Sequence, residues 1–315
     1  MFINSAPIEI GMYHERRKEK GKIKNYLVYN QRKKNGWLKK SKFIGYGEIP
    51  FQKLYLKEKE FELELSVSKK YTYLTKEQIL ELEKILQIYN EKINFLKKEE
   101  LDTFQTSFFT ELTYNSNSLE GNSLSLEETF LVLNENLAPA GKTLREIYEA
   151  KNHLQALQFL QEYSSELNER MILKLHQIIL NNISEHFAGR YREGTVKIFG
   201  SEVKFPSAEK VSSEMANLLY WYNEHKKEIH PFELAVIFST KFVSIHPFVD
   251  GNGRISRLLM NFILKRNNYP WLNVYTKQRE EYLRAIRKGN DGDYNLILNF
   301  MFQTLKENLQ RYGFL

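Results

Sequence analysis

Between His230 and Ile263 the sequence sets two apolar helical stretches on either side of one short polar loop, and this arrangement restricts the fold more than any other feature. Pro231 opens Phe232-Glu233-Leu234-Ala235-Val236-Ile237-Phe238-Ser239-Thr240-Lys241-Phe242-Val243-Ser244-Ile245, a mostly apolar helix with proline at a first-turn position where its missing N–H costs nothing. Such a helix must be buried inside a helical body. Beyond the loop, Ile255, Leu258, Leu259, Phe262 and Ile263 mark a second, amphipathic helix.

The same periodicity dominates the chain from Thr75 onward. Ile79, Leu80, Leu82, Ile85, Leu86, Ile88 and Tyr89 recur at helical spacing, as do Met171, Ile172, Leu175, Ile178 and Ile179. Capping signals precede further helices at Ser125-Leu126-Glu127-Glu128 and at Thr143. The bulk is therefore expected to be all-α, interrupted by two β-like runs, Thr195–Phe199 and Glu202–Phe205, around Gly200-Ser201: a hairpin flap on a helical body.

The first seventy residues read differently. Lys24–Tyr29 and Trp37–Ile44 are rich in β-formers and separated by Asn35-Gly36, which predicts a hairpin. Alternation in Phe61–Val67 predicts another half-buried strand. This module also carries the charge: Gly11–Gly45 holds twelve Lys and Arg against Glu15 and Glu19, a local +10 in a chain of net +7. The expected organisation is a basic β-rich module over residues 1–75, a linking helix over 76–100 and a helical domain over 101–315.

No apolar run reaches 18 residues, and the first residues lack a signal-peptide pattern, so a cytoplasmic protein without membrane contact is expected. Zero cysteines remove thiolate nucleophiles and disulfides, and no histidine pair has zinc-ligand spacing with a carboxylate partner.

The loop is His246-Pro247-Phe248-Val249-Asp250-Gly251-Asn252-Gly253-Arg254. Gly251 and Gly253 allow a tight turn whose amides approach a ligand directly before a helix N-terminus, a ready site for phosphate. Arg254 and Arg257 lie three apart on that helix and share one face suited to successive phosphates. Asp250, a carboxylate among these cations, suits Mg²⁺, which prefers one or two carboxylates plus phosphate oxygens. His246 supplies a base that titrates near neutrality. Alone, each of these has an ordinary structural explanation; their joint spacing between two apolar helices does not.

HPFVDGNGRISR, His246 to Arg257, resembles the complete signature loop of the Fic family, over a likeness covering roughly residues 100–310. What the resemblance implies is a mainly α Fic core acting as a protein adenylyltransferase. It would bind ATP with Mg²⁺, transfer AMP to a hydroxyl of a target protein (the enzyme itself included) and release pyrophosphate. His246 would deprotonate the hydroxyl and Asp250 would hold Mg²⁺. Asn252 and the loop amides would orient the α-phosphate, and Arg254 and Arg257 the outer phosphates. The flap, with Val196, Lys197, Ile198 and Phe199, would dock an extended target segment, and Thr276, Arg279 and Tyr282 would border the adenine.

Ser116-Asn117-Ser118-Leu119-Glu120-Gly121 closes a segment, about 103–121, with helical spacing at Phe104, Phe108, Phe109 and Leu112. It is similar to the inhibitory motif of Fic proteins, in which Ser116 and Gly121 flank a glutamate. Glu120 would then pair with Arg257 where the γ-phosphate belongs; in some relatives that glutamate positions water and AMP is removed instead. Two alternatives stand beside this reading: a relative that transfers another phosphate-containing group, and a nucleic-acid-binding regulator. The second would use Tyr26, Tyr29 and Trp37 interleaved with Arg32, Lys33, Lys34, Lys39 and Lys40 of residues 11–45. A homo-oligomer is left open.

Overall fold

The computed structural model describes residues 11–33, 36–66, 70–196 and 205–315. The chain divides into two compact units, Met1–Ser68 and Lys69–Leu315. In the first, β1 (Gly11–Glu19), β2 (Lys22–Lys33) and β3 (Gly36–Tyr46) form an antiparallel sheet in sequence order, followed by α1 (Phe51–Ser66). The expected hairpin is β2–β3, although Asn35 of its turn lies outside the described residues. Strand β1 was not anticipated. It joins β2 through Lys20 and Gly21, both at positive φ, the geometry that suits a right-twisted two-residue turn.

The strand expected at Phe61–Val67 is instead the end of α1, with Val67 outside the described residues. The local alternation was misleading because the wider window follows a helical period. Leu54, Phe61 and Leu65 fall on one helix face and pack against Leu27, Ile44, Met12 and Tyr29 of the sheet. The Lys- and Glu-rich remainder of the segment favours helix over strand.

Apart from a single parallel β-bridge between Lys70 and Ile229, the regular structure of the second unit is helical among its described residues: α2 (Lys76–Phe95), α3 (Lys98–Ser118), α4 (Leu126–Asn134), α5 (Leu144–Glu162), α6 (Glu169–Ile179), α7 (Ala208–His225), α8 (Pro231–Ile245), α9 (Asn252–Arg266), α10 (Arg279–Asn290) and α11 (Asn295–Arg311). Its centre is α8, buried at every position from Pro231 to Thr240. Helices α7, α10 and α11 pack on α8, while α3, α5 and α6 reach α9, which is buried from Arg254 to Leu264. The polar loop between α8 and α9 is thereby anchored at both ends by buried helix. Glu233, fully buried in the first turn of α8, accepts the backbone N–H groups of Thr72, Tyr73 and Leu74 and so pins the segment before α2 to the central helix. The capping boxes at Ser125 and Thr143 form as expected at α4 and α5. No helix among the described residues is long and apolar enough to cross a membrane. Lys197, Ile198 and Phe199 of the expected flap lie outside the described residues, and Val196 is the last one described before it.

Candidate active site

The loop holds its shape through its own backbone. His246 ends α8 in the left-handed region (φ 51°), and Gly251 precedes α9 in the same region (φ 82°). A side chain at Gly251 would press on Ile179 at 3.3 Å. Asn252 uses both ends of its amide on Phe248: the Phe248 N–H donates to Oδ1 at 2.9 Å, and Nδ2 donates to the Phe248 carbonyl at 2.8 Å. Asn252 therefore braces the turn through both ends of its side-chain amide.

Beneath the loop, His176 of α6 stacks flat on the buried Phe248 ring, centroids 3.7 Å apart. Its Nδ1 accepts the Gly189 N–H at 3.0 Å and its Nε2 donates to the Asp250 carbonyl at 3.2 Å, a pattern that requires the neutral ring. Burial pushes its pKa down to about 4. An unfolded histidine titrates near 6.5, so the stability this depressed group contributes is present above that pH and lost as pH falls toward 4. At full extent it amounts to about 3 kcal/mol. Melting temperatures between pH 7 and 4 should fall more steeply for wild type than for His176→Asn, which cannot titrate there; parallel curves would remove His176 from the account.

Burial likewise pushes His246 down to about 4, against the pull of the Val243 carbonyl, with nearby Arg192 adding to the depression. The ring is thus neutral at pH 7 and free to accept a proton, and it lies against Phe205 at 4.2 Å. Arg192, buried, holds this end of the loop. Its Nε donates to the His246 carbonyl at 2.8 Å, Nη1 to the Gly194 carbonyl and Nη2 to the Pro206 carbonyl, while its own N–H bonds the Pro247 carbonyl.

At the other end Asp250 is partly exposed. Although burial opposes it, the neighbouring Arg254, the Gly251 N–H at 2.6 Å and Arg145 at 2.6 Å hold its carboxyl below the ordinary range. Arg254 is buried between Asp250 (3.2 Å) and Glu149 of α5 (3.4 Å). Among the described residues no three acidic or histidine side chains converge as a metal cage. A divalent ion here would take one ionised carboxylate and find its other oxygens on a phosphate ligand and water, which fits Mg²⁺.

Glu120 reaches this loop from the end of α3. Its carboxylate accepts from Arg257 Nη2 at 2.7 Å and covers the first turn of α9 so closely that a Cβ on Gly253 would run into it. Arg257 also donates to the Ser116 hydroxyl at 3.1 Å and carbonyl at 2.8 Å. Gly121 takes φ 100°, which lets the chain leave the helix directly after Glu120. The end of α3 is further fixed by Arg279 Nε on the Leu119 carbonyl (3.0 Å) and by the Thr276 N–H on Asn115 Oδ1 (3.0 Å). Tyr282 is buried against Arg257, and burial raises its pKa.

The structure therefore gathers His246, Asp250, Gly251, Gly253, Arg254, Arg257, Ser116, Glu120 and Tyr282 around one loop. Sequence reasoning missed Arg145, Glu149 and His176, and gave Arg192 no role in the loop. The Arg145/Glu149 spacing of four was the one signal available for the α5 pair.

A sequence profile of the Fic/DOC family matches residues 166–264, which contain the loop and both flanking helices. The chain carries a Fic domain. Over 203 residues it is 32% identical to protein adenylyltransferase Fic of Drosophila virilis, a match covering 63% of this chain and 41% of that protein. Against protein adenylyltransferase fic-1 of Caenorhabditis elegans it is 32% identical over 205 residues, covering 63% and 40%. The chain thus spans less than half the length of these curated relatives. Among solved structures, the Fic domain and its surroundings are similar to Fic-1 of Caenorhabditis elegans, with TM-score 0.66, 28% identity and coverage of 84% of this chain and 77% of that one. A Fic domain containing signaling protein from Bacteroides thetaiotaomicron matches with TM-score 0.65 and 29% identity, covering 72% and 95%.

Proposed function

We propose that this chain is an adenylyltransferase that moves AMP from ATP to a hydroxyl side chain of a protein, and that Glu120 holds the activity down. The carrying observation is the loop itself: a neutral His246 at one end, the N-terminus of α9 at the other, and buried Arg254 and Arg257 on the next turn. The α-phosphate would sit on the first-turn amides of 252 and 253, where an anion meets helix N–H donors and the helix dipole. His246 would take the proton of the target hydroxyl. The hydroxyl oxygen would form a bond to the α-phosphorus as the bond to the bridging β-oxygen breaks, and pyrophosphate would leave with its charge matched by the arginines. Mg²⁺ at Asp250 would supply further charge neutralisation on the phosphates. Glu120 supports the regulatory part, because its carboxylate pairs with the arginine that an outer phosphate needs and fills the space beside Gly253 in the first turn of α9.

Two parallel incubations with Mg²⁺ and ATP test the reaction type. Label on the α-phosphate should enter protein, and label on the γ-phosphate should not. The converse would mean phosphoryl transfer and would overturn the reading.

A further inference from the structure

None of the residues gathered around the loop belongs to the unit Met1–Ser68, and one face of that unit's sheet is unusual. An antiparallel sheet that packs one face on a helix commonly turns polar side chains outward on the other. In this sheet Leu27, Tyr29 and Met12 face α1, and the register puts Tyr13, Tyr26, Phe43, Tyr46 and Trp37 on the opposite face, around a buried Val28. Tyr13 is 41% exposed, Phe43 43%, Tyr46 59% and Trp37 60%. So many half-exposed rings on one surface mark a binding face.

Cations accompany the rings. Arg17 lies over Tyr26 at 4.3 Å and Lys22 over Tyr46 at 5.9 Å, while Lys24 and Lys39 share the face by register. The two acids of these strands are already engaged, Glu15 with Arg17 and Glu19 with Lys24. By register the described side chains of this face carry Arg17, Lys22, Lys24 and Lys39 against Glu15 and Glu19, an excess of cations open to a polyanion, while Lys42 turns to Glu60 and Glu64 of α1.

We propose that this face binds single-stranded nucleic acid, its bases stacking on Tyr13, Phe43, Tyr46 and Trp37 and its phosphates meeting Lys22, Lys24 and Lys39. Exposed base faces are what such rings can stack on, whereas a duplex has already stacked its bases and offers only edges and backbone. An acidic peptide would satisfy the lysines and leave the rings unused. Strand β3, of 11 residues, spans roughly 35 Å, room for several nucleotides. Tyr29, expected from the sequence to join this surface, packs toward α1 instead, and Tyr13, Phe43 and Tyr46 take its place.

The test is fluorescence anisotropy of the full chain with a labelled single strand of about 15 nucleotides, titrated from about 50 mM salt upward. Binding should weaken steeply with salt. Trp37→Ala and Tyr46→Ala, whose side chains are more than half exposed and whose melting curves should match wild type, should each weaken it about 5- to 150-fold with an unchanged salt slope. Lys39→Gln should instead flatten the slope. Absence of binding at low salt would overturn the proposal. So would ring variants that bind like wild type, or duplex and heparin competing as well as the single strand, since these outcomes mean attraction by charge alone.

Discussion

Replacing Glu120 with glycine raises incorporation of α-phosphate label by at least about tenfold over wild type. The pair Glu120–Arg257, 2.7 Å apart, is worth on the order of 4 kcal/mol at an effective dielectric near 20. Desolvation takes back part of that, but Glu120 is partly exposed, so the loss falls chiefly on the buried Arg257. A net 1.4 kcal/mol, roughly a third of the Coulombic figure, already gives a factor of ten. Removing the carboxylate also opens the space beside Gly253 in the first turn of α9. Glu120→Gln, which keeps the volume and loses the charge, should fall between the two. Equal labelling in all three would remove Glu120 as a brake. If wild type instead strips label from pre-modified protein and Glu120→Gly cannot, the same carboxylate serves the reverse reaction.

The second large effect is a loss. In the Glu120→Gly background, His246→Ala should lower transfer by about 10²- to 10⁴-fold, the range expected when a general base is removed. ATP binding should change little, because the phosphate-facing groups are the amides and arginines at the far end of the loop. Alanine is strained in the left-handed conformation that His246 adopts, and the His246 carbonyl is an anchor for Arg192. His246→Asn separates chemistry from shape, since asparagine tolerates that conformation. An Asn variant retaining full transfer would exclude the ring as the base.

What was legible in the sequence was what is contiguous. Residues 246–257 follow one another, so their spacing alone fixed the turn, the helix start and the shared face of Arg254 and Arg257. The end of α3 was readable only through the likeness of Ser116, Glu120 and Gly121 to the Fic inhibitory motif, since spacing alone does not tell Glu120 from an exposed terminal acid; in the structure both Ser116 and Glu120 meet Arg257. Arg145 and His176 were not readable. They come to Asp250 from α5 and α6, and no local pattern announces which helix packs under a loop. Histidine in an apolar helical stripe usually signals only core, and the flat stack on Phe248 exists only once α6 meets the loop. In the first unit, alternation over a few residues suggested a strand where the longer period of Leu54, Phe61 and Leu65 made helix α1.

Arg192 gives the molecule a seam. One guanidinium ties together the carbonyls of Gly194 and Pro206, and the same group fixes the His246 carbonyl. Changes after Gly194 that keep Phe205 against the His246 ring therefore leave the catalytic end of the loop anchored through Arg192. In evolutionary terms, Arg192 lets the sequence beyond Gly194 drift while the His246 carbonyl keeps its anchor.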